Sequence, residues 1–213
     1  MSRAERGTAR GRLLDAAVDV IRAQGLAATT VDDLCSAAGV TKGAFFHHFP
    51  TKDDLAVAAA NHWSETTGSL FAAAPYHDGP TPAERTLAYV DFRASLIDGA
   101  AEEFTCLVGT MAQEAFATNA PIRDACADSI LGHAQTLVPD IDAALTDEAR
   151  ADGVTAESIA AHIQAVLQGG FILAKAANDP TRVLDSLAHL RRYLITILDP
   201  DAQDDPNETG VAA

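Results

Sequence analysis

Apolar and polar positions follow the period of an amphipathic helix along nearly the whole chain. In the first such segment, apolar residues recur at spacings of one, three and four: Leu13, Leu14, Ala17, Val18 and Ile21. This spacing places them on one face of a helix. The strict two-residue alternation of a half-buried strand is not found. The pattern therefore predicts an all-α protein.

Residues 10–49 are predicted to form three short helices. Gly25 follows the first and ends it. Thr30 and Asp33 have the spacing of a capping box, which begins the second helix. Gly39 ends that helix as the left-handed residue after its C-terminus.

The third helix is predicted to begin at Thr41 and to stop before Pro50, because a residue that precedes proline disfavours the helical conformation. Two short helices joined by a tight turn are the outline of a helix-turn-helix. Thr51 and Asp54 repeat the capping pattern and begin a longer helix that reaches about Phe71.

The remainder of the chain is predicted to be helical around short breaks. A linker is predicted at Pro75 and residues 77–82, and 138–153 is read as a loop or a short helix. The further helices are predicted at 82–98, 101–117, 121–137, 155–178 and 180–198. The resulting organisation is a helix-turn-helix domain at 1–52, a larger helical domain at 53–199 and a disordered polar tail at 200–213.

Charge is distributed unevenly over the 213 residues. The net charge is −15, yet residues 1–52 hold seven basic and five acidic side chains, against eight and twenty-five in the rest. This asymmetry favours a small N-terminal module that binds an anion and a larger acidic domain that does not. The alternative is an ordinary fluctuation of charge along the chain.

The sequence favours a cytoplasmic protein. It has neither a secretory leader nor a run of about 18 apolar residues that would span a membrane. Its cysteines are Cys35, Cys106 and Cys126, an odd number without the close spacing of a disulfide framework or a zinc site, so reduced thiols are expected.

The stretch "TKGAFFHHFPTKDDL", residues 41–55, concentrates the candidate chemistry. The adjacent His47 and His48 point about 100° apart on a helix, so no metal site is predicted there. Phe45 and Phe49 lie four residues apart, and we expect both to pack into the core.

The other faces of this third helix suit DNA. They carry Lys42, Gly43, Ala44, Phe46, His47 and His48. Small residues permit close approach to a major groove, while lysine and imidazole supply hydrogen-bond donors. The helix starts at Thr41 and Thr51 can hold phosphates, with Lys42 and Lys52 beside them. A capped surface helix with solvated lysines remains the alternative.

The segment "TVDDLCSAAGVTKGAFFHHFPTKDDL", Thr30 to Leu55, resembles the DNA-binding signature of the tetracycline-repressor (TetR) family without a gap. The resemblance implies a three-helix DNA-binding head and a helical body that dimerises and binds a small effector. It implies phosphate contacts from Thr30 and Lys52. It also implies that the recognition helix contacts DNA through residues at its start and on its outer face: Thr41, Lys42, Gly43, Ala44, Phe46, His47 and His48. Phe46 replaces the usual tyrosine and Ala44 a common threonine or serine, so base readout rests mainly on Lys42 and His47.

An arm of Arg3, Arg6, Arg10 and Arg12 is also expected to follow the DNA backbone or enter a minor groove. The segment 104–130 is similar to a branch of the family that includes repressors of the LmrA/YxaF type and acrylate-responsive regulators.

Effector contacts are expected from large or polar members of otherwise apolar faces: Trp63, Phe71, Tyr89, Phe92, Phe104, Cys106, Met111, His133, Gln168 and Phe171. Apolar walls with a few polar groups suit a small organic molecule. Ordinary core packing is the alternative for each of them. For Cys106 a thiol or electrophile sensor is a further alternative.

The last two long helices are rich in small residues: Ala160, Ala161, Ala165, Gly169, Gly170 and Ala174. The family resemblance implies that these helices pair with those of a second copy, which a pseudo-palindromic operator requires. Packing within one chain is the alternative. No cofactor and no enzymatic activity are predicted, because phosphate-loop, dinucleotide and nucleophile-elbow motifs are lacking. A ligand-released homodimeric repressor is the predicted function, and a helical protein with a role away from DNA is the rival.

Overall fold

The computed structural model describes residues 7–199 and 201, and the regular structure in this part of the chain is helical. The α-helices are α1 Ala9–Gln24, α2 Val31–Ala38, α3 Lys42–His48, α4 Lys52–Ala72, α5 Pro82–Ser95, α6 Ala101–Phe104, α7 Leu107–Ala115, α8 Ala120–Gln135, α9 Val138–Ala144, α10 Asp147–Ala151, α11 Ala156–Ala177 and α12 Thr181–Ile197. A 3₁₀ turn, Pro75–Asp78, lies in the predicted linker. The all-α fold class is thus confirmed.

The chain forms two compact units. The first comprises Met1–Ala73 and Gly99–Gly132, and the second comprises Ala74–Asp98 and His133–Ala213, each within the described residues. The predicted domain boundary after residue 52 falls at the first turn of α4, inside the first unit. Arg3 and Arg6 lie outside the described residues, as does the predicted tail apart from Asp201.

The first unit has one apolar core that fixes the three-helix head. Leu13 of α1, Leu34 of α2 and Leu55 of α4 are fully buried in it. Phe45 and Phe49 belong to the same cluster, and their rings lie 6.0 Å apart. The prediction that these two phenylalanines anchor the third helix is confirmed.

Local signals set the ends of the helices in the head. Thr30 and Asp33 form the reciprocal capping box predicted for α2. Gly39 adopts the left-handed conformation, φ 61° and ψ 42°, which a residue without a Cβ reaches at low cost. The helix α3 ends at His48, and Phe49, before Pro50, is extended at φ −136° and ψ 111°.

Three predicted segments differ from the structure. The helix predicted at 101–117 is broken, because Thr105 and Cys106 are extended between α6 and α7. The carbonyl of Thr105 accepts a hydrogen bond from the buried Arg22, so a tertiary contact overrides the local helical pattern. The helix predicted at 82–98 ends at Ser95, and 138–153 holds the two short helices α9 and α10.

The second unit is organised around the antiparallel neighbours α11 and α12. A Cβ placed on Gly170 would lie 3.3 Å from the Cα of Val183, so the glycine permits close packing of these two helices. Within the described residues, α11 is the one helix long and apolar enough to cross a membrane. It packs against α12 along one side.

Candidate functional site

The outward face of α3 is the candidate nucleic-acid interface. Lys42, Gly43, Phe46 and His47 are exposed, while Ala44 and His48 are half-buried. The exposed residues form two pairs four apart, so one surface of the helix carries a lysine, a glycine, an aromatic ring and an imidazole. Phe46 is 54% exposed, and its ring stacks edge to face on Phe45.

Both predicted phosphate-binding helix starts have threonine caps. The Thr41 hydroxyl accepts the Ala44 N–H at 3.2 Å, and the Thr51 hydroxyl accepts the Asp54 N–H at 3.1 Å. Thr30 caps α2 in the same way and donates its hydroxyl hydrogen to Asp33 at 2.7 Å. Each cap leaves other N–H groups of the first turn directed outward, which favours an anion there.

Lys42 is already paired across the helix-turn-helix. Its ammonium lies 2.7 Å from the carboxylate of Asp32 in α2, and both side chains are more than half exposed. The hydrogen bond that Lys42 donates to Asp32 raises the pKa of Lys42, so the lysine remains a cation at neutral pH. An exposed pair of this kind is weak enough to be exchanged for a phosphate or a base.

Lys52 has different surroundings from those expected of a solvated lysine. Its ammonium donates to the carbonyls of Leu26 and Thr29, at 2.8 Å each. It therefore holds the loop between α1 and α2, next to the cap of α2. Local sequence carried no signal for this contact, because its partners lie more than twenty residues away.

Arg10 and Arg12 lie within α1 rather than in an extended arm. The Arg10 guanidinium lies over the Phe49 ring, 5.5 Å from its centre. Arg12 donates to the carbonyls of Ala38 and Gly7. These arginines tie the start of α1 to the ends of α2 and α3, so Arg10 and Arg12 are not part of an extended arm.

Of the predicted effector contacts, Trp63, Phe71, Phe104, Cys106 and Met111 belong to the first unit. Met111 is fully buried in the core, and Phe71 is buried at the end of α4. Cys106 is half-buried, and its sulfur accepts the Gly109 N–H at 3.4 Å as the cap of α7. These positions show packing and capping roles for three of the five.

Arg22 is a buried neighbour of Trp63, one of the predicted effector contacts, and its burial was not predicted from the sequence. It is 9% exposed, lies over the Trp63 ring at 5.1 Å, and donates to the Thr105 carbonyl at 2.7 Å. Burial lowers the pKa of Arg22, although nearby acids oppose this shift. Arginines in the last turn of an amphipathic helix are usually exposed to solvent, so the burial of Arg22 is seen only in the folded structure.

In the second unit the fold brings Tyr89 and His133 together. The phenol lies 2.9 Å from Nε2 of His133, and the buried Gln164 donates to the phenol oxygen at 3.4 Å. Burial, and secondarily Arg93, lower the pKa of His133 to about 4. The histidine is therefore neutral near pH 7, and its Nε2 shares a hydrogen bond with the Tyr89 hydroxyl.

Phe92 and Phe171 lie near this polar cluster, and Gln168, four residues after Gln164 on α11, is half-buried. Tyr76 connects Tyr89 and Phe92, with ring centres 5.3 Å and 5.9 Å away. The Arg93 guanidinium lies 6.0 Å from the centre of the Phe171 ring. Gln164 was missed by the sequence reasoning, although a polar residue among the apolar positions of α11 was an available signal.

The small residues of α11 divide between two faces. Ala160, Gly170 and Ala174 are buried and pack within the chain, whereas Ala161 and Ala165 are exposed. A Cβ on Gly169 would meet no atom within 4 Å. The outward side of α11 and α12 forms an apolar groove of about 410 Å³, lined by His162, Ala165, Val166, Gly169, Gly170, Leu173, Ser186, His189, Leu190 and Tyr193.

Comparison with known families assigns both parts of the chain. A family model described as "Bacterial regulatory proteins, tetR family" matches residues 13–59. A second, described as "Transcriptional regulator LmrA/YxaF-like, C-terminal domain", matches residues 82–189. The first match contains the capped turn and α3, and the second contains the Tyr89 cluster and most of the groove.

Individual relatives agree with these matches. The HTH-type transcriptional regulator YxaF of Bacillus subtilis (strain 168) is 23% identical over 183 residues, which are 84% of this chain and 91% of YxaF. The HTH-type transcriptional repressor KstR2 of Mycobacterium tuberculosis is 41% identical over 46 residues, 22% of this chain and 23% of KstR2. A TetR-family regulator from Cytophaga hutchinsonii shares the fold, with a TM-score of 0.74 and 21% identity over 93% of this chain and 98% of that one.

Proposed function

Since the chain belongs to the TetR family of transcriptional regulators and has an LmrA/YxaF-like C-terminal domain, we propose that it is a homodimeric repressor released from its operator by a small organic effector. The family is one of DNA-binding regulators and not of enzymes. The observation that carries the proposal is the exposed face of α3, presented between two capped helix starts.

The residues of α3 and the neighbouring caps have distinct parts in the proposed DNA complex. Lys42 and His47 read base edges in the major groove, and Gly43 and Ala44 allow α3 to approach. Phe46 and His48 lie against the backbone, and the capped turns at Thr30 and Thr41 bind phosphates. Binding exchanges the Lys42–Asp32 pair for contacts with DNA.

The apolar groove on α11 and α12 is the proposed dimer surface. Leu173 and Tyr193 are 54% and 39% exposed there, and Gly169 leaves room for close approach of another helix. Burial of such side chains against a second copy removes apolar surface from water. A twofold dimer then presents two copies of α3 to a pseudo-palindromic site.

The proposed effector acts by differential affinity for two arrangements of the dimer. It binds more tightly to the arrangement whose α3 helices do not match successive major grooves, and so shifts the population away from DNA. The neutral Tyr89–His133 pair is a proposed polar contact for an uncharged or hydrogen-bonding effector. Cys106 gives the thiol-sensing alternative a test, since Cys106→Ser would abolish a response to electrophiles.

The decisive experiment has two steps. Purified protein is first used to select binding sites from random duplex DNA and is then titrated against the selected site by fluorescence anisotropy. We expect a pseudo-palindrome bound by a dimer, with affinity that falls steeply as salt rises. A thermal-shift screen of metabolites and drugs then identifies compounds that also release the DNA.

Absence of any selected site at low salt would overturn the repressor proposal. A selected site without release by any stabilising compound would overturn the effector part alone. Fractionation of the producing cells tests the proposed cytoplasmic location, with recovery in the membrane fraction as the contrary result.

A further inference from the structure

The loop of residues 25–30, between α1 and α2, is held from one side by a carboxylate of α7. Oε2 of Glu114 accepts the Ala27 N–H at 2.7 Å. A Cβ on Gly25 would lie 2.3 Å from Oε1 of the same carboxylate, so Glu114 is seated directly against this glycine. Gly25 also has φ 86°, a conformation that other residues rarely adopt.

An ammonium holds the same loop from the start of α4. Lys52 donates to two loop carbonyls, those of Leu26 and Thr29. The Thr29 hydroxyl closes the loop internally by donating to the Gly25 carbonyl at 2.6 Å. Two charged side chains from different helices thus engage a donor and two acceptors of one short segment, and hydrogen bonds to charged groups are the stronger kind.

The loop leads directly into α2 and sets the position of the N-terminus of that helix. Thr30, its last residue, is the cap of α2, and Asp32 in the first turn pairs with Lys42 of α3. A displacement of the loop therefore moves a proposed phosphate-binding cap and the partner of the recognition lysine together. Because Glu114 and Lys52 hold the loop, they also fix the positions of the Thr30 cap and of Asp32.

We propose that Glu114 and Lys52 are positioning residues for operator binding, which act through loop 25–30 rather than by contact with DNA. The inference rests on the proposed function of the head as a DNA-binding module. It assigns to Lys52 a role different from a phosphate contact, because its described hydrogen bonds are made to protein carbonyls.

Substitution of Glu114 distinguishes a positioning role from a purely electrostatic effect, because the two predict opposite changes in the operator Kd. Removal of a negative charge near DNA by itself strengthens binding. A positioning role predicts instead that Glu114→Ala raises the operator Kd about tenfold, since each head loses a charge-assisted hydrogen bond. Glu114→Gln keeps an oxygen acceptor for Ala27 and should restore most of the affinity. Glu65→Ala, which removes another exposed acid of the first unit, is the matched control and should not weaken binding.

Lys52 is tested by the salt dependence of binding. Each neutralised phosphate contributes about 0.9 to the slope of log K against log salt concentration. Lys52→Met should therefore raise Kd while leaving the slope unchanged. A slope reduced by about two in the dimer would identify a phosphate contact in each head and overturn the assignment for Lys52. If Glu114→Ala binds the operator as tightly as the wild type or more tightly, Glu114 is not a positioning residue.

Amide hydrogen exchange without DNA separates this inference from the proposed function. Glu114→Ala should expose the Ala27 amide to faster exchange, while amides of α1 and α4 keep their protection. Unchanged exchange at Ala27 would contradict the contact itself. If the wild-type protein binds no selected DNA, the proposed function fails, and the exchange experiment still decides whether Glu114 holds the loop.

Discussion

Truncation of Leu173 should weaken the proposed dimer by an amount that follows from its exposure. The side chain is 54% exposed in the groove of α11 and α12. Full burial of a leucine stabilises by about 1.5–3 kcal/mol, so about half of that is still available to each copy on dimerisation. A twofold interface contains the residue twice. Leu173→Ala should therefore cost about 2–3 kcal/mol, which raises the dimer dissociation constant roughly 30- to 150-fold.

The measurement is sedimentation equilibrium over a range of protein concentrations, for the wild type and two variants. Leu131→Ala is the matched control, because Leu131 of α8 is 55% exposed and is not among the residues that line the groove. Its dissociation constant should equal that of the wild type. Circular dichroism should show the same helicity in all three proteins, since both leucines are already half in water.

Operator binding provides a second readout of the same change. At protein concentrations between the two dissociation constants, Leu173→Ala should lose cooperative binding to the full palindrome. Equal dissociation constants for Leu173→Ala and Leu131→Ala would refute the reasoning and remove the groove as the dimer surface.

Three further predictions concern single side chains. Phe46→Tyr places a hydroxyl on the exposed ring and should lower the operator Kd by about 5- to 10-fold through a hydrogen bond to phosphate; an unchanged Kd in anisotropy titrations would place the ring away from the backbone. Gly43→Ala adds a methyl group 3.7 Å from the Thr41 hydroxyl, which the site can hold. It should therefore stabilise α3 by about 0.5–1 kcal/mol in urea denaturation, yet weaken operator binding because the methyl group keeps α3 from the DNA. Equal or tighter binding would contradict a close approach of Gly43 to DNA. His133 has its pKa lowered to about 4, so between that pH and its ordinary 6.5 the unfolded chain binds a proton that the folded chain does not. The free energy of unfolding should then fall by about 2–3 kcal/mol as pH drops through this window, and His133→Gln should remove that part of the dependence; parallel curves for both proteins would contradict it.

The local signals of the head were sufficient to predict its helices. The cap at Thr30, the left-handed Gly39 and the stop before Pro50 are all found as predicted. Each depends on contacts within about four residues, so the physical cause is contained in the sequence segment itself. The burial of Phe45 and Phe49 followed equally from their spacing on one helix.

The surroundings of charged residues were not predictable in the same way. A lysine beside a helix start is equally compatible with solvent, phosphate or carbonyl partners, and the fold gives Lys52 the carbonyls and Lys42 the carboxylate of Asp32. Arg22 shows the same limit, since its partner at Thr105 is 83 residues away. The strength of such contacts depends on which distant backbone groups are brought within hydrogen-bond distance.

The sequence by itself determined the helical class, the capped helix-turn-helix and the exposed face of α3, because helix periodicity and capping act over a few residues. Tertiary structure alone decided the break between α6 and α7, the division of the small residues of α11 between two faces, and the grip of Glu114 and Lys52 on loop 25–30. These features arise where segments far apart in the chain meet, and there burial and hydrogen bonding override the local preference of either segment.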